Sequence, residues 1–161
     1  MNESTKMTYE DLKAGFEKLK ENRGLGKEED PITLQLGSDL WDYSPKEEYI
    51  TFAFPVIKKE LNPNGAMMGG IVCTALDMTY GLLVYALCGG GVIPPTVSMT
   101  TNFINPIFFG DTLLITAKVI SWGKRIINMR AEGISKKTGK TVVTSTAVFI
   151  SDADFSLRQN G

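Results

Sequence analysis

The chain has 161 residues, of which 43% are hydrophobic and 22% are charged, with a net charge of −1 at pH 7. This length and composition predict one domain with a proper core, and the small net charge argues against a polyanion-binding protein. The sequence contains no histidine and two cysteines. This excludes Ser-His-Asp and Cys-His catalysis and argues against a transition-metal site.

Charge and cysteine placement add two expectations. Residues 111–161 carry 8 basic and 4 acidic side chains, which indicates either an anionic ligand or solvated strand faces. The first residues lack the apolar core of a signal peptide, so we expect a cytoplasmic protein. Cys73 and Cys88 fall on one predicted helix, roughly 22 Å apart, which is too far for a disulfide between them.

The N-terminal segment predicts an amphipathic helix. Thr8 and Asp11 form a variant of the capping box, and Leu12, Phe16 and Leu19 follow at helical spacing. The predicted helix ends at Gly24 and Gly26, and residues 27–31 form a linker. We therefore divide the chain into an N-terminal helix and linker (1–30), a main domain (31–152) and a C-terminal tail (153–161).

The main domain alternates between strand and helix patterns. Two strands are predicted over 32–42 and 47–55, followed by a loop and a helix of about 22 residues from near Ala66 to Cys88. Four further strands are predicted over 96–104, 112–120, 126–134 and 141–150, joined by short turns that indicate antiparallel hairpins. The fold class is therefore α+β, with a long helix and an antiparallel sheet.

The long helix is apolar enough to be mistaken for a membrane span. Asp77 lies near its centre, and a charge there costs roughly 2.5–3.5 kcal/mol on insertion. Its flanks also lack Lys and Arg anchors, and amphipathic strands follow. These features favour a core helix wrapped by a sheet, with no membrane partner.

Asp77 is the only charged residue between Glu60 and Asp111. Such a carboxylate lies either on a wet helix face or in a low-dielectric site, where a raised pKa makes it a base or a nucleophile. The residues expected on its face of the helix are Gly70, Thr74, Gly81 and, more loosely, Cys73 and Tyr80. The opposite face carries the bulk expected of a core, in Val72, Leu76, Leu82, Leu83 and Ala86.

Gly69 and Gly70 fall in the first turn of this helix, where backbone N–H groups are unpaired. Either they form an oxyanion site or they mark a tight loop-to-helix junction. Gly69 and Asp77 are about 12 Å apart along a helix, too far to act on one carbonyl within one chain. If both are catalytic, two antiparallel copies of the helix must form composite sites in a dimer.

The order and spacing of these residues resemble the hotdog-fold acyl-CoA thioesterases, in particular the phenylacetate-pathway type, over residues 30–151. The matching positions are Asn62, Gly65, Met68, Gly69, Gly70, Asp77, Thr96, Ser98, Phe103, Pro106, Gly110, Asp111, Gly123, Lys124 and Arg125. The resemblance implies one long helix wrapped by an antiparallel sheet, and a homodimer that often pairs into a tetramer. It also implies hydrolysis of an acyl-CoA to a carboxylic acid and free CoA, without a separate cofactor.

The resemblance also implies residue roles. The N–H of Gly69 would polarise the thioester carbonyl, and Asp77 of the partner chain would act as nucleophile or general base. Asn62 would position substrate or water, and Thr96 would orient water. The turn Gly123, Lys124 and Arg125 would meet the CoA moiety, although a solvated hairpin turn explains it equally well. Gly70 and Met68 would complete the substrate-binding loop.

One position departs from the family pattern, because Met68 stands where the family has histidine. A thioether accepts hydrogen bonds only weakly, which favours either a different acyl group or a non-catalytic acyl-CoA-binding protein. The hydratase branch of the fold depends on histidine and fits poorly. No basic stripe indicates a nucleic-acid partner. Phe103, Ile104, Phe108, Phe109 and Tyr80 suit an apolar or aromatic acyl group, and equally a core.

Overall fold

The computed structural model describes residues 6–21, 32–91 and 94–151. The helices are α1 (Tyr9–Glu21), α2 (Ile32–Gln35), a 3₁₀ turn (Lys58–Glu60) and α3 (Gly69–Leu87). The strands are β1 (Asp39–Ser44), β2 (Tyr49–Pro55), β3 (Thr96–Phe103), β4 (Thr112–Trp122), β5 (Ile126–Ser135) and β6 (Thr141–Ile150). The predicted C-terminal tail lies outside the described residues, and the predicted domain boundaries stay predictions.

Helix α1 begins at the predicted capping box. The Asp11 N–H donates to Thr8 Oγ1 at 3.1 Å, and the Thr8 N–H donates to Asp11 Oδ2 at 3.0 Å. Leu12 and Phe16 are buried, and the Phe16 ring lies 5.0 Å from that of Phe52 in β2. The helix therefore packs against the sheet. The predicted linker, the stop at Gly24 and Gly26 and the side chain of Leu19 lie outside the described part of the chain.

The six strands form one sheet in the order β1-β2-β4-β5-β6-β3, and every neighbouring pair is antiparallel. Their side chains alternate between the two faces. Leu113, Ile115 and Ala117 of β4 are fully buried on the face that packs against α3. Strand β4 runs two residues beyond the predicted end at Ile120, through a bulge between Val119 and Ser121.

The first predicted strand, 32–42, is wrong in its first half. Ile32–Gln35 form a helical turn, with the N–H of Leu36 donating to Ile32 O at 3.0 Å. Gly37 follows with a φ of +61°, a left-handed conformation that ends helices and that glycine adopts without strain. Strand β1 then starts at Asp39. It continues to Ser44, two residues beyond the predicted strand end at 42.

Helix α3 has 19 residues and begins three residues later than predicted. Ala66 and Met67 are held in bridges to Phe108 and Leu61, so they are extended and not helical. Met68 is the N-cap, with a ψ of 136°. The two glycines at 69 and 70 therefore open the helix, as expected, and the helix stops before Cys88, as expected.

Helix α3 lies against the sheet, where it contacts β2, β3, β4 and β5. By length and hydropathy it could cross a membrane, yet 56% of its most apolar window is buried inside the protein. Tyr80, Leu76 and Leu83 on this helix are fully buried. The architecture is one long helix packed on an antiparallel sheet, as the resemblance implies.

Gly133 offers a test of this packing. A Cβ at Gly133 would lie 2.6 Å from Val143 Cγ1 and 3.1 Å from Leu113 Cδ1. We expect Gly133→Ala to lower the free energy of unfolding by about 1–3 kcal/mol because the core has no room for the methyl group. Denaturant unfolding measures it.

The matched control is Gly15→Ala, where a Cβ meets nothing within 4 Å on α1. It should raise the free energy of unfolding by about 0.5–1 kcal/mol. A Gly133→Ala protein as stable as the parent would contradict the packing described here.

Candidate functional site

Asp77 is paired with Thr96, which begins β3. The Thr96 hydroxyl donates to Asp77 Oδ1 at 2.5 Å. Both side chains are exposed in the single chain, so Asp77 lies on a wet helix face within the protomer. Sequence reasoning placed both residues in the site, and the structure brings them into direct contact. The carboxylate is held in position by a hydroxyl from a neighbouring element.

The pair lines a cavity of about 450 Å³. The other residues that line it are Ile32, Thr74, Met78, Gly81, Leu82, Pro94, Pro95 and Phe149. The cavity is thus polar at Asp77, Thr74 and Thr96 and apolar elsewhere. A carboxylate beside an apolar space of this size can act on a small organic ligand.

One assignment on this helix is extended and one is corrected. Leu82 packs against the core, as expected, but it also lines the Asp77 cavity, four residues after Met78, which lines it too. Tyr80 was grouped with Asp77 but is fully buried, with its ring 6.1 Å from that of Phe149. Tyr80 is therefore a core residue, unavailable to an acyl group. Burial raises the pKa of Tyr80 to about 12.

A second cavity, of about 300 Å³, lies at the start of α3 and is lined by Gly69 and Asn62. The first intrahelical hydrogen bonds come from the N–H groups of Ile71 and Val72, both to Met68 O. The amides of Gly69 and Gly70 precede these bonds and are available to an external acceptor. Phe103 closes one side, since a Cβ on Gly69 would lie 3.2 Å from its ring.

Asn62 shapes the loop before the helix. Its Oδ1 accepts hydrogen bonds from the N–H groups of Asn64 at 2.9 Å and Ala66 at 3.2 Å. Because the oxygen serves the loop, the Nδ2 group is the part of the amide that can donate to a ligand. Asn62 therefore has a structural role in addition to the predicted positioning role.

Met68 projects from the end of this loop with 55% of its surface exposed. Its N–H donates to Glu60 O at 2.8 Å, which ties the loop to the 3₁₀ turn. Glu60 itself is only 4% exposed, and this burial raises its pKa. Sequence reasoning missed Glu60, because nothing in its charged surroundings, Lys58 and Lys59, indicates burial.

The two cavities have no lining residue in common. Gly69 and Asp77 lie eight residues apart on one continuous helix, a rise of about 12 Å. The single chain therefore does not bring the amide and the carboxylate together. The composite site in a dimer stays a prediction.

The turn Gly123–Arg125 lies at the same end of the sheet as Thr96. Thr96 of β3 pairs with Phe149 of β6, and Phe149 pairs with Ile127 of β5, just after the turn. Thr96 and Ile127 are therefore separated by two strand spacings, about 10 Å. The turn is exposed, and the Oγ of Ser151, just after β6, donates to Gly123 O at 3.0 Å. A ligand at Asp77 could therefore extend towards this turn.

A third cavity, of about 390 Å³, lies beside the turn between β5 and β6. Phe108 and Phe109 line it, and Phe103 and Ile104 line the Gly69 cavity. All four side chains are more than half exposed, so they belong to cavities and not to the core. Contact of these side chains with an acyl group stays a prediction.

A sequence model of the thioesterase superfamily matches residues 64–142. This match covers 79 of the 161 residues, just under half of the chain. The match includes Gly69, Asp77, Thr96 and the turn at 123–125, whereas Asn62 lies just outside it. It agrees with the resemblance to hotdog-fold thioesterases that the sequence motifs indicate.

Individual relatives agree with this match. An uncharacterized acyl-CoA thioester hydrolase of Haemophilus influenzae is 29% identical over 62% of this chain, and the match spans 65% of that relative, just under two thirds. The PaaI protein of the Escherichia coli phenylacetic acid degradation operon shares the fold with a TM-score of 0.68 and 24% identity, over 83% of this chain and 93% of its own. A Streptococcus mutans protein bound to acetyl-CoA has a TM-score of 0.63 and 22% identity, over 71% of this chain and 88% of its own. The hotdog fold is confirmed.

Asp111, on the rim of the third cavity, yields a test that is independent of ligands. Burial acts to raise its pKa, but hydrogen bonds from Ser135 Oγ and from the N–H groups of Thr112 and Lys137 outweigh burial and hold the pKa below 3.8. Because the pKa of Asp111 is lower in the folded state than in the unfolded state, the ionised carboxylate stabilises the folded protein at pH values above the unfolded-state pKa. That stability is lost as the pH falls through the folded-state pKa. We expect Asp111→Asn to be less stable than the parent at pH 7.

The difference should shrink below about pH 4 and vanish at lower pH, as measured by denaturant unfolding across the pH range. The variant Ser135→Ala removes one of the donors and should show a smaller form of the same pH-dependent loss. A stability difference that is constant from pH 7 to strong acid would contradict the assigned cause.

Proposed function

We propose that this protein is a thioester hydrolase that converts an acyl-CoA to a carboxylic acid and free CoA. The match of residues 64–142 to the thioesterase superfamily model supports the reaction class. The relative from H. influenzae is named an acyl-CoA thioester hydrolase, which supports the substrate class. A cytoplasmic location and a tetramer built from dimers belong to the same proposal.

The observation that carries the proposal is the hydrogen bond between Thr96 and Asp77 at the wall of a largely apolar cavity. One carboxylate oxygen accepts from Thr96, so the other oxygen is left to act on water or on a carbonyl carbon. Thioester hydrolysis needs such a group together with a donor for the developing oxyanion. The amide of Gly69 supplies that donor from the start of α3.

The two groups meet if two chains pair through β3. This strand is at the end of the sheet order, and six of its eight residues are exposed. An exposed edge strand on which polar and apolar residues alternate is a surface that proteins normally cover. Antiparallel pairing of two β3 strands across a twofold axis would set the two α3 helices antiparallel, with Gly69 of one chain opposite Asp77 of the other.

In this dimer the carbonyl oxygen accepts hydrogen bonds from the Gly69 N–H and Asn62 Nδ2. Acting as a base, Asp77 of the partner takes a proton from water as the water oxygen attacks the carbonyl carbon. The carbon–sulfur bond then breaks, and the proton passes to the departing thiolate. Acting as a nucleophile, Asp77 attacks the carbonyl carbon, the carbon–sulfur bond breaks as the thiolate leaves, and water hydrolyses the resulting mixed anhydride at the Asp77 carboxyl carbon. Single turnover in ¹⁸O-water then distinguishes the two routes, because the label enters the acid product if Asp77 is a base and the Asp77 side chain if it is a nucleophile.

The CoA moiety extends towards Gly123–Arg125 of the chain that supplies Asp77. Lys124 and Arg125 are exposed on this turn, and guanidinium and ammonium groups pair well with phosphates. A protein that shares this fold was solved with acetyl-CoA bound, which supports CoA as part of the ligand. The reaction then requires no separate cofactor.

Met68 favours a second candidate function, a non-catalytic acyl-CoA-binding protein. It is exposed at the N-cap of α3, beside the proposed oxyanion donor, where its thioether offers neither a strong hydrogen bond nor a proton. If this second function is correct, calorimetry would detect binding of acyl-CoA, and no hydrolysis would occur over hours.

Replacing the acid tests the catalytic proposal. We expect Asp77→Asn and Asp77→Ala to lower kcat about 10²–10⁴-fold, since no other group replaces the base or nucleophile. A screen of short, long and aromatic acyl-CoAs measures turnover, and size-exclusion chromatography checks the dimer. The control Asp42→Asn changes an exposed carboxylate on β1, at the other end of the strand order, and should keep full turnover. Unchanged hydrolysis by Asp77→Ala would remove Asp77 from the mechanism.

Replacing Gly69 tests the oxyanion donor. Proline removes the N–H, is favoured at the first position of a helix, and suits the extended conformation of Met68 before it. Alanine adds a similar Cβ against Phe103 but keeps the N–H. We expect Gly69→Pro to lower kcat about 10²–10³-fold and Gly69→Ala to retain most activity. Equal losses in both variants would indicate a steric effect.

The same variants test whether the site is shared. A mixed dimer of Gly69→Pro and Asp77→Asn chains contains one site with both groups intact. Random mixing in equal amounts makes about half of the dimers mixed, which restores about a quarter of the parent activity. If mixing restores nothing, while each variant remains dimeric, the composite site is wrong.

A further inference from the structure

We propose that the third cavity, beside the β5–β6 turn, binds an anionic group carried by the thioester substrate. This inference rests on the proposed function, and it assigns the source of substrate selectivity to residues outside the motif that the family shares. The cavity adjoins the Gly69 cavity. Four residues, Asn105, Pro106, Ile107 and Val142, line both.

The segment between the two cavities is fixed to the sheet. The N–H groups of Ile104 and Asn105 donate to Val142 O at 2.8 and 3.2 Å, and Asn105 Nδ2 donates to Thr141 O at 2.7 Å. A ligand whose carbonyl lies at Gly69 therefore has a defined path along this segment to the third cavity.

The cavity is electropositive. Lys137 and Lys140 line it, and a third ammonium, Lys58 Nζ, lies 5.4 Å from the ring centroid of Phe109 on its wall. Among the described residues, no carboxylate lies within 4.0 Å of the Lys137 or Lys140 ammonium. These two lysines account for part of the basic excess in residues 111–161.

The acidic groups nearby are already engaged. Asp111 lines the cavity, but its oxygens accept hydrogen bonds from Ser135 Oγ at 2.5 Å and from the N–H groups of Thr112 and Lys137 at 2.6 and 3.2 Å. Glu132 accepts a hydrogen bond from Thr141 Oγ1 at 2.7 Å. Lys137 also attracts Asp111 and helps to lower the pKa of its carboxyl group, but two lysines line the cavity against this one carboxylate, so an incoming anion meets a net positive charge.

Lys137 and Lys140 lie on the β5–β6 turn, whose backbone is held by hydrogen bonds. The Gly139 N–H donates to Ser135 O at 2.8 Å and the Thr138 N–H donates to Ser135 Oγ at 3.1 Å. The Lys137 N–H is held by Asp111. Phe108 and Phe109 supply an apolar wall that lowers the local dielectric and strengthens the attraction for an anion. The backbone of the turn is therefore held in place, and the exposed Lys137 and Lys140 side chains extend from it beside an apolar wall.

Two parts of a substrate carry the required negative charge. One is a carboxylate at the far end of the acyl group, which would reach the cavity if the acyl group lies on the Gly69 side and CoA lies towards the partner's turn at 123–125. The other is a phosphate of CoA, which would reach the cavity if CoA lies on this side and not at the partner's turn at 123–125. Both sources share the same chemistry, an anionic oxygen cluster recognised by ammonium groups.

The test compares Lys137→Gln/Lys140→Gln with Lys136→Gln, both in an Asp77→Asn background that prevents turnover. Lys136 is on the same turn, but its ammonium lies 4.5 Å from the ring centroid of Trp41 and does not line the cavity. Calorimetry measures binding of hexanoyl-CoA, adipoyl-CoA and hexanoyl-3′-dephospho-CoA. The double variant should bind the anion-dependent ester about tenfold more weakly, and added salt should reduce the difference.

The pattern of losses identifies the source. Weaker binding of adipoyl-CoA alone assigns the site to the acyl carboxylate. Weaker binding of both 3′-phosphorylated esters assigns it to the 3′-phosphate, and an equal loss for all three assigns it to the pyrophosphate. The inference is overturned if the double variant binds all three esters as Lys136→Gln does, or if no ester binds.

The same variants with Asp77 intact separate this inference from the proposed function. Normal hydrolysis with unchanged KM in Lys137→Gln/Lys140→Gln would overturn the anion site and leave the thioesterase proposal standing. Absence of hydrolysis in the parent protein would overturn the thioesterase proposal, whereas the calorimetric comparison would still decide the anion site.

Discussion

Burial of the apolar helix Gly69–Leu87 against one sheet is the constraint on which the rest of the structure depends. The helix contacts β2, β3, β4 and β5, and its side chains at Leu76, Tyr80 and Leu83 are fully buried. At about 25 cal/mol per Å² of apolar surface, such burial supplies most of the driving force for folding. The same packing fixes the helix axis, which in turn fixes where its N-terminal amides and its single carboxylate emerge.

Much of this arrangement could be predicted from the sequence because it depends on strong local signals. The capping pair Thr8 and Asp11, the period-two alternation of β4 and the glycine stop after Cys88 each act over a few residues. The resemblance to hotdog thioesterases then placed Asp77 and Thr96 in one site, and their hydrogen bond agrees with that placement. A pattern of motifs in order carries information about distant contacts that periodicity alone lacks.

The errors arise where tertiary contacts override local preference. Ala66 and Met67 suit a helix by composition, but bridges to Phe108 and Leu61 hold them extended and delay the helix start. Ile32 lies on a helical turn that ends at Gly37 in the left-handed conformation, and this turn places Ile32 in the wall of the Asp77 cavity. The β-branched and apolar residues of this segment favour a strand, so the sequence pattern concealed the helical turn. Helical spacing alone could not decide which apolar residues face the sheet and which face the cavity. The burial of Glu60 likewise has no local signature.

Placing the oxyanion donor and the acid on one rigid helix has a mechanical consequence for the proposed dimer. If one α3 slides along its axis relative to the other, Gly69 and the facing Asp77 move out of register by the same amount in both sites. A slip of one residue, about 1.5 Å, would therefore misalign both sites at once. Sliding cannot switch on one site at the expense of the other, so any perturbation of helix register acts on the two sites as a single unit.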